Sequence, residues 1–287
     1  MNVKEVLARI DKLPPMPAVA VKLLEVTQDP DVSLAAVATL LERDPSMAAN
    51  LLRVCNSPLY GLRAQVTSVR QAVSLLGLRK VIQVAMTALS SGYLSPAQQG
   101  YALAAGELWR SSLSAAIAAE LLAREVGYPR PSTAYTAGLL QDVGKIVLAD
   151  AVASYLPDIA RQIEAHRIGW DEAERRVVGM PHSEVGALLL ERWGFPDLLV
   201  ESVRTHHAPS QATIDPDLAR ISHLADALTM TVGMGLGADG LTYTLDPTAL
   251  EALGIDDRSR VEGLVAELIE QLGRAEDLLG AAAARAT

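Results

Sequence analysis

The run Ala137-Gly138-Leu139-Leu140-Gln141-Asp142-Val143-Gly144-Lys145-Ile146-Val147-Leu148 is the feature that most constrains the fold. It reads as an apolar helical stretch with one polar pair, Gln141-Asp142, at its centre. Such a stretch belongs inside a core built from other helices, where a buried polar pair needs partners. Candidate partners lie downstream, since four of the five histidines, His182, His206, His207 and His223, fall in a short later portion of the chain.

Ala and Leu dominate, aromatics make up 4% and β-branched clusters are sparse, which favours helices over strands. The expected fold is all-α. With 287 residues the chain can bury a large core as one big domain or two closely packed ones. The lone Cys55 cannot form an internal disulfide and reads as a buried thiol. Lys4, Glu5, Arg9 and Asp11 interrupt any signal-peptide core. Val81 to Tyr101 comes nearest to a membrane span, but Gln83, Ser90, Ser91, Gly92 and Pro96 break it, so no membrane contact and a cytoplasmic location are expected.

A net charge of −9 argues against general nucleic-acid binding, which depends on neutralising phosphates. The average hides an asymmetry. Pro45 to Gly106 contains no Asp or Glu, yet carries Arg53, Arg63, Arg70, Arg79 and Lys80. That stretch either attracts an acidic partner, nucleotide or phosphate, or simply solvates helix ends.

Punctuation divides the chain into helices. Val3 to Leu13 is followed by a Pro break, Ala18 to Gln28 by the turn Asp29-Pro30-Asp31, and Ser33 caps a helix through Arg43. Asp44-Pro45 opens a helix to about Cys55, and Asn56 to Gly61 is a loop. Ser68 to Leu76, Gly77 and Leu78 to Ser91 form a helix-glycine-helix corner. This is either an ordinary tight corner or a DNA reader offering Arg79, Lys80 and Gln83. Tyr101 to Val126 is expected as one long helix, and another runs from Ser132 or Thr133 to about Ala149. Helices over Ala151 to His166, Asp171 to Val178, Ser183 to Trp193, Pro196 to His206 and Pro216 to Thr231 follow. After them come a Gly-rich loop, Gly233 to Leu245, and a helix from Asp256 to about Ala282 with a fraying Ala-rich end.

Asp142, His182, His206, His207 and Asp226 suit a hard or borderline divalent cation held by imidazoles and carboxylates from separate helices. A histidine pair beside Pro209 can equally meet the free carbonyls of a helix end. Other chemistries find no support: Cys55 has no nearby His, and there is no Gly-x-Ser-x-Gly elbow, phosphate-binding loop or dinucleotide fingerprint. Lys145, three residues after Asp142, is placed to pair with it or to touch a phosphate.

Taken in order, these landmarks resemble the HDOD domain, a bacterial relative of the HD phosphohydrolases. The resemblance rests on Leu13-Pro14-Pro15-Met16-Pro17, Asp44-Pro45-Ser46-Met47, Leu51 through Pro58 with Tyr60-Gly61, Ala72 through Gly77, and Trp109-Arg110-Ser111-Ser112. Ala137 through Lys145, His182-Ser183-Glu184-Val185-Gly186 and Trp193-Gly194-Phe195-Pro196 continue it, so that it covers about residue 6 to about residue 230. It implies an N-terminal helical subdomain over 1–95 packed on an HD-like helical subdomain over 96–235, with 236–287 a loop and helical extension.

The resemblance also implies histidines at the positions of Ser111 and Gln141 in catalytic relatives. Asp142, His182, His206, His207 and Asp226 match retained ligand positions. With two imidazoles replaced, the expectation is a non-enzymatic signal-transduction adaptor, with no cofactor beyond a single divalent ion. The sequence shows no receiver, GGDEF or EAL segment, so input and output are expected through binding. The expected partner is a signalling protein or a cyclic dinucleotide, met at Asn56, Ser57 and Tyr60 on the loop from Asn56 to Gly61, and at Arg63 and Arg70 of the acid-free segment, on a rigid helical scaffold. The alternative is a metal-dependent phosphohydrolase or phosphodiesterase.

Overall fold

Side chains that take up the free amide hydrogens of a first turn fix where several helices begin. In the computed structural model, which describes residues 3–26, 33–242, 244–255, 257–275 and 278, Ser33 Oγ accepts from Ala36 at 3.1 Å. Asp44 Oδ1 accepts from both Ser46 and Met47, and Ser68 Oγ from Gln71. The N-terminal helices are α1 (Val3–Ile10), α2 (Ala18–Val26), α3 (Leu34–Glu42), α4 (Pro45–Cys55) and α5 (Val69–Leu94). Then come α6 (Glu107–Glu125), α7 (Pro131–Leu140), α8 (Lys145–His166), α9 (Trp170–Val178), α10 (His182–Arg192), α11 (Asp197–Thr205) and α12 (Pro216–Thr231). Helices α13 (Pro247–Ala252) and α14 (Arg258–Arg274) complete the described chain, which contains no β-strand among the described residues.

Two helices expected as single pieces are divided. Tyr101 to Val126 starts its helix only at Glu107, because Gln99–Tyr101 forms a 3₁₀ turn and Ala102 and Gly106 take left-handed conformations that end helical propagation. The helix expected from Ser132 to Ala149 stops at Leu140 and restarts at Lys145, and α8 then absorbs the segment expected separately from Ala151. Gln141-Asp142 therefore sits on a turn between helices. The six-residue α13 was not anticipated within the C-terminal region. The turn Asp29-Pro30-Asp31 and the Ala-rich end beyond residue 278 lie outside the described residues.

Helix α6 is the axis of the second half, with Leu108, Trp109 and every residue from Ser111 to Ala123 buried. It packs against α7, α12 and α14, and Trp109 Nε1 donates to Leu278 O at 3.4 Å. The N-terminal helices dock on this assembly through α5 against α7 and α1 against α8, with Thr87 Oγ1 and Tyr135 OH 2.6 Å apart in the buried seam. Helix α5 is long and apolar enough to cross a membrane, yet 56% of its most apolar window is buried, and Gly77 (φ 73°) kinks it so that it follows the core. Cys55 is a buried free thiol.

The contact that positions the pocket is backbone on backbone. A Cβ at Gly144, the residue before α8, would lie 2.0 Å from His182 O and 2.6 Å from Gly186 N at the start of α10. Only hydrogen fits there, and this closeness sets Asp142 and Lys145 beside His182. Gly144→Ala is expected to cost about 3 kcal/mol or more in urea unfolding, because neither neighbour is a side chain that can swing away. Gly263→Ala, on an open stretch of α14, is expected to stabilise by about 0.5–1 kcal/mol in the same measurement.

Candidate functional site

Asp142 comes from the turn between α7 and α8, Lys145 from the first turn of α8 and His182 from the first turn of α10. His206 and His207 follow α11, and Asp226 lies on α12. The fold brings all five expected ligand residues to one buried region. Asp142, His182, His207 and Asp226 line an open cavity of about 520 Å³, while His206 is fully buried behind them.

The three histidines lie close together. One ring nitrogen from each of His182, His206 and His207 falls within 4.8 Å of the others. His182 Nε2 is 3.0 Å from His207 Nε2 and 3.4 Å from Asp142 Oδ1, and His206 Nε2 is 4.0 Å from that oxygen. His206 Nδ1 donates to Val203 O at 2.7 Å, which leaves Nε2 as a buried acceptor with no hydrogen-bond partner.

His182 is held from its other side. Its Nδ1 and its backbone N–H both donate to Glu174 Oε2, at 2.7 and 2.8 Å, and Tyr101 OH donates to Glu174 Oε1 at 2.6 Å. A carboxylate behind an imidazole fixes its orientation and raises its basicity. Burial disfavours charge on His182, but the Glu174 carboxylate outweighs it and pushes the imidazole up to about 9. With the ring protonated, Nε2–H donates to His207. Burial and then the charge on His182 push His206 down to about 3, and burial followed by His206 and His182 holds His207 well below the usual histidine value.

The other side of Asp142 faces a cation. Lys145 Nζ lies 2.9 Å from Asp142 Oδ2 and 2.6 Å from Asp239 Oδ2, with all three side chains largely buried. Burial opposes the ammonium charge, but Asp142, Asp239 and Asp226 keep it protonated, above the ordinary lysine value. Burial likewise raises Asp142, and Lys145 followed by the histidines brings it below the ordinary carboxylate value. Asp226 accepts from Gln141 Nε2 at 2.9 Å, and burial and then Asp142 push it up to about 8.

The expected ligands include a cluster with the spacing of a divalent-ion site, His182, His206 and His207, and His182 also belongs to a second such group with Asp171 and Glu174. Once His182 gives up its Nε2 proton, the partnerless His206 Nε2, the facing ring nitrogens of His182 and His207, and Asp142 Oδ1 form a donor set suited to a borderline ion. On the other side, Gln141 turns its donor toward Asp226, Ser111 Oγ donates to its own helix at Leu108 O, and an ammonium lies against Asp142.

The residues proposed for partner binding lie elsewhere, around the 3₁₀ turn Pro58–Tyr60. Both ends of the Asn56 amide bond Val66, at 2.8 and 2.7 Å, and Ser57 Oγ donates to Val54 O at 2.8 Å. These two brace the loop. Arg63 is exposed, Arg70 is exposed and paired with Glu42 at 3.1 Å, and Lys80 Nζ sits 5.5 Å from the centroid of the Tyr60 ring. Sequence reasoning missed Glu174, Tyr101 and Asp239. Glu174 sits in the charged stretch Trp170-Asp171-Glu172-Ala173-Glu174-Arg175-Arg176, which resembles a solvated face, and only its position opposite the exposed side marks it. Asp239 lies in a Gly-rich loop with no local pattern.

The geometry is that of an all-helical protein with a buried histidine and carboxylate pocket assembled from helix ends. The model of the HDOD domain family matches residues 13–209, and the chain belongs to that family. An uncharacterized protein of Treponema pallidum (strain Nichols) is 26% identical over 201 residues, which are 69% of this chain and 38% of that protein's length. An HDOD domain protein of unknown function from Geobacter sulfurreducens superposes with a TM-score of 0.72 at 24% identity, covering 99% of this chain and 96% of its own. A protein of Shewanella amazonensis SB2B, provisionally named a phosphohydrolase, gives 0.71 at 23% identity, covering 97% and 98%. One of Marinobacter aquaeolei VT8, provisionally named a signal transduction protein, gives 0.75 at 25% identity over 96% of this chain and 64% of its own. The first two of these structures speak for the fold.

The Glu174–His182 pair has a pH signature. His182 is raised from 6.5 to about 9, so its contribution to stability is complete below about 6.5 and is lost as pH rises through about 9. Glu174→Gln is therefore expected to lower unfolding free energy by about 3 kcal/mol near pH 6, with the gap from wild type closing above about pH 9. Thermal melts of both proteins across that range check it, and a gap that stays constant with pH contradicts the assignment.

Proposed function

We propose that this protein is a non-enzymatic adaptor in cytoplasmic bacterial signal transduction that acts by binding a protein partner. The observation that carries this reading is the bond from Gln141 Nε2 to Asp226. A catalytic pair of ions needs strong donors such as imidazoles. Here the residue at the first position of the pair is an amide whose Nε2 donates to a carboxyl that burial keeps largely protonated near neutral pH, and whose Oε1, buried without a hydrogen-bond partner, is a weaker metal ligand than an imidazole. The provisional name of the Marinobacter aquaeolei relative points the same way. The acid-free stretch from Pro45 to Gly106, with Arg63 exposed on the loop braced by Asn56 and Ser57 and Arg70 exposed in the first turn of α5, where it pairs with Glu42, is the surface assigned to an acidic partner.

A second reading, a phosphohydrolase using one ion, is favoured by the partnerless Nε2 of His206. An ion bound there would supply Lewis acidity and an activated water. His182, held by Glu174, and His207 would position it, and Arg175 and Arg204 stand at the mouth of the cavity.

The two readings part in an assay of phosphodiester and nucleotide hydrolysis with Mn²⁺, Fe²⁺ or Mg²⁺ added. No turnover above that of Asp142→Ala is expected, and turnover abolished by both Asp142→Ala and His206→Ala overturns the adaptor reading. A cytoplasmic protein captured by wild type is expected to be lost from an Arg63→Glu, Arg70→Glu double variant, and equal capture by both moves the partner surface elsewhere.

A further inference from the structure

The Gly-rich loop between α12 and α13 lies outside the segment that matches the family model, yet it completes the pocket. Ala238 N–H donates to Tyr101 O at 2.8 Å, and a Cβ at Gly237 would lie 2.4 Å from that same oxygen, so the loop is pressed against the 3₁₀ turn at Gln99–Tyr101. At Gly235 (φ 70°) a Cβ would stand 3.0 Å from Ser111 Cβ. The loop thus passes over the position where a larger side chain at residue 111 would project. Anchored at both places, it delivers Asp239 to Lys145 at 2.6 Å.

Asp142 shows what this arrangement stands in for. Its Oδ1 faces His182 and His206, and its Oδ2 binds the ammonium. The carboxylate thus bridges two cation positions, of which the second is filled by a side chain. The surroundings of Nζ are those of a cation site, with two carboxylate oxygens in contact and the Tyr101 ring centroid 5.5 Å away.

We infer that Lys145 Nζ is a resident cation taking the place of a second divalent ion, locked in by Asp239 of the Gly-rich loop that follows α12, so that the pocket accepts one divalent ion at most. Ser111 belongs to the same device, because its small side chain admits the loop. The inference does not depend on whether the histidine side is catalytic, since a single-ion enzyme and an adaptor would both carry it.

The test is ion stoichiometry. In equilibrium dialysis against saturating MnCl₂, followed by elemental analysis, wild type is expected to hold no more than one Mn²⁺ per chain. Lys145→Met, which keeps the side chain's bulk and removes its charge, is expected to hold one more, because Asp142 and Asp239 then offer free oxygens to a hard cation. The melting temperature of Lys145→Met is expected to rise with Mn²⁺ by more than that of wild type. Two ions in wild type, or no additional ion in folded Lys145→Met, overturns the inference. If that variant does not fold, crystals of wild type grown with MnCl₂ decide. Anomalous density between Asp142 and Asp239 overturns it, and Lys145 Nζ retained there without such density supports it. Hydrolysis is not read in any arm, so loss of the adaptor reading and loss of this one give different results.

Discussion

The structure of the pocket depends on one backbone contact, the approach of Gly144 to His182 and Gly186. Helices normally meet through side chains, at interaxial distances of about 8–10 Å. Here the start of one helix is set against the start of another with room for hydrogen alone. Free amide groups and first-turn side chains are consequently concentrated in a small volume, and Asp142, Lys145 and His182 come within reach of one another without any long side chain having to stretch. The two glycines are as much a part of the site as the charged groups.

That proximity creates an electrostatic problem, which the chain solves with alternating charge. Glu174, His182, Asp142, Lys145 and Asp239 form a buried series in which each charged group meets an opposite one. Isolated buried charges are very costly, and removing any member leaves its neighbours uncompensated. The series also accounts for the neutral groups beside it. Burial, reinforced by the charge on His182, opposes protonation of His206 and His207, and burial, reinforced by Asp142, favours the acid form of Asp226, which accepts from Gln141.

Much of this was legible in the residues. Caps such as Asp44 and Ser33, and Pro at helix starts, are local devices, so the helices they open were found within a residue or two. The ligand-type residues were found because His and Asp are rare inside apolar helices. Local pattern failed where tertiary contact decides. The turn at Gln141-Asp142 is hidden in an unbroken apolar run, because the close contact of Gly144, and no Pro or polar cluster, separates α7 from α8. Glu174 has charged neighbours and no local sign of its burial, and Asp239 reaches Lys145 with its loop held by a distant carbonyl, Tyr101 O. The pairing of Lys145 with Asp142 follows from their three-residue spacing; that Asp239 joins it from a distant loop required the fold.

Helix α6 carries a last consequence. Because the whole stretch from Ser111 to Ala123 is enclosed, this part of the helix has no outward face, and the exposed residues of α6, Glu107, Arg110, Arg124 and Glu125, lie outside it. A polar or bulky replacement has no side on which it can be accommodated, whichever way the residue points. Tolerance to substitution from Ser111 to Ala123 should be uniformly low and should not rise and fall every three or four residues, as it does on a helix lying at a surface. In evolutionary terms α6 is a segment where the protein can drift very little, and variation that retunes its partners has to arise on the helices around it.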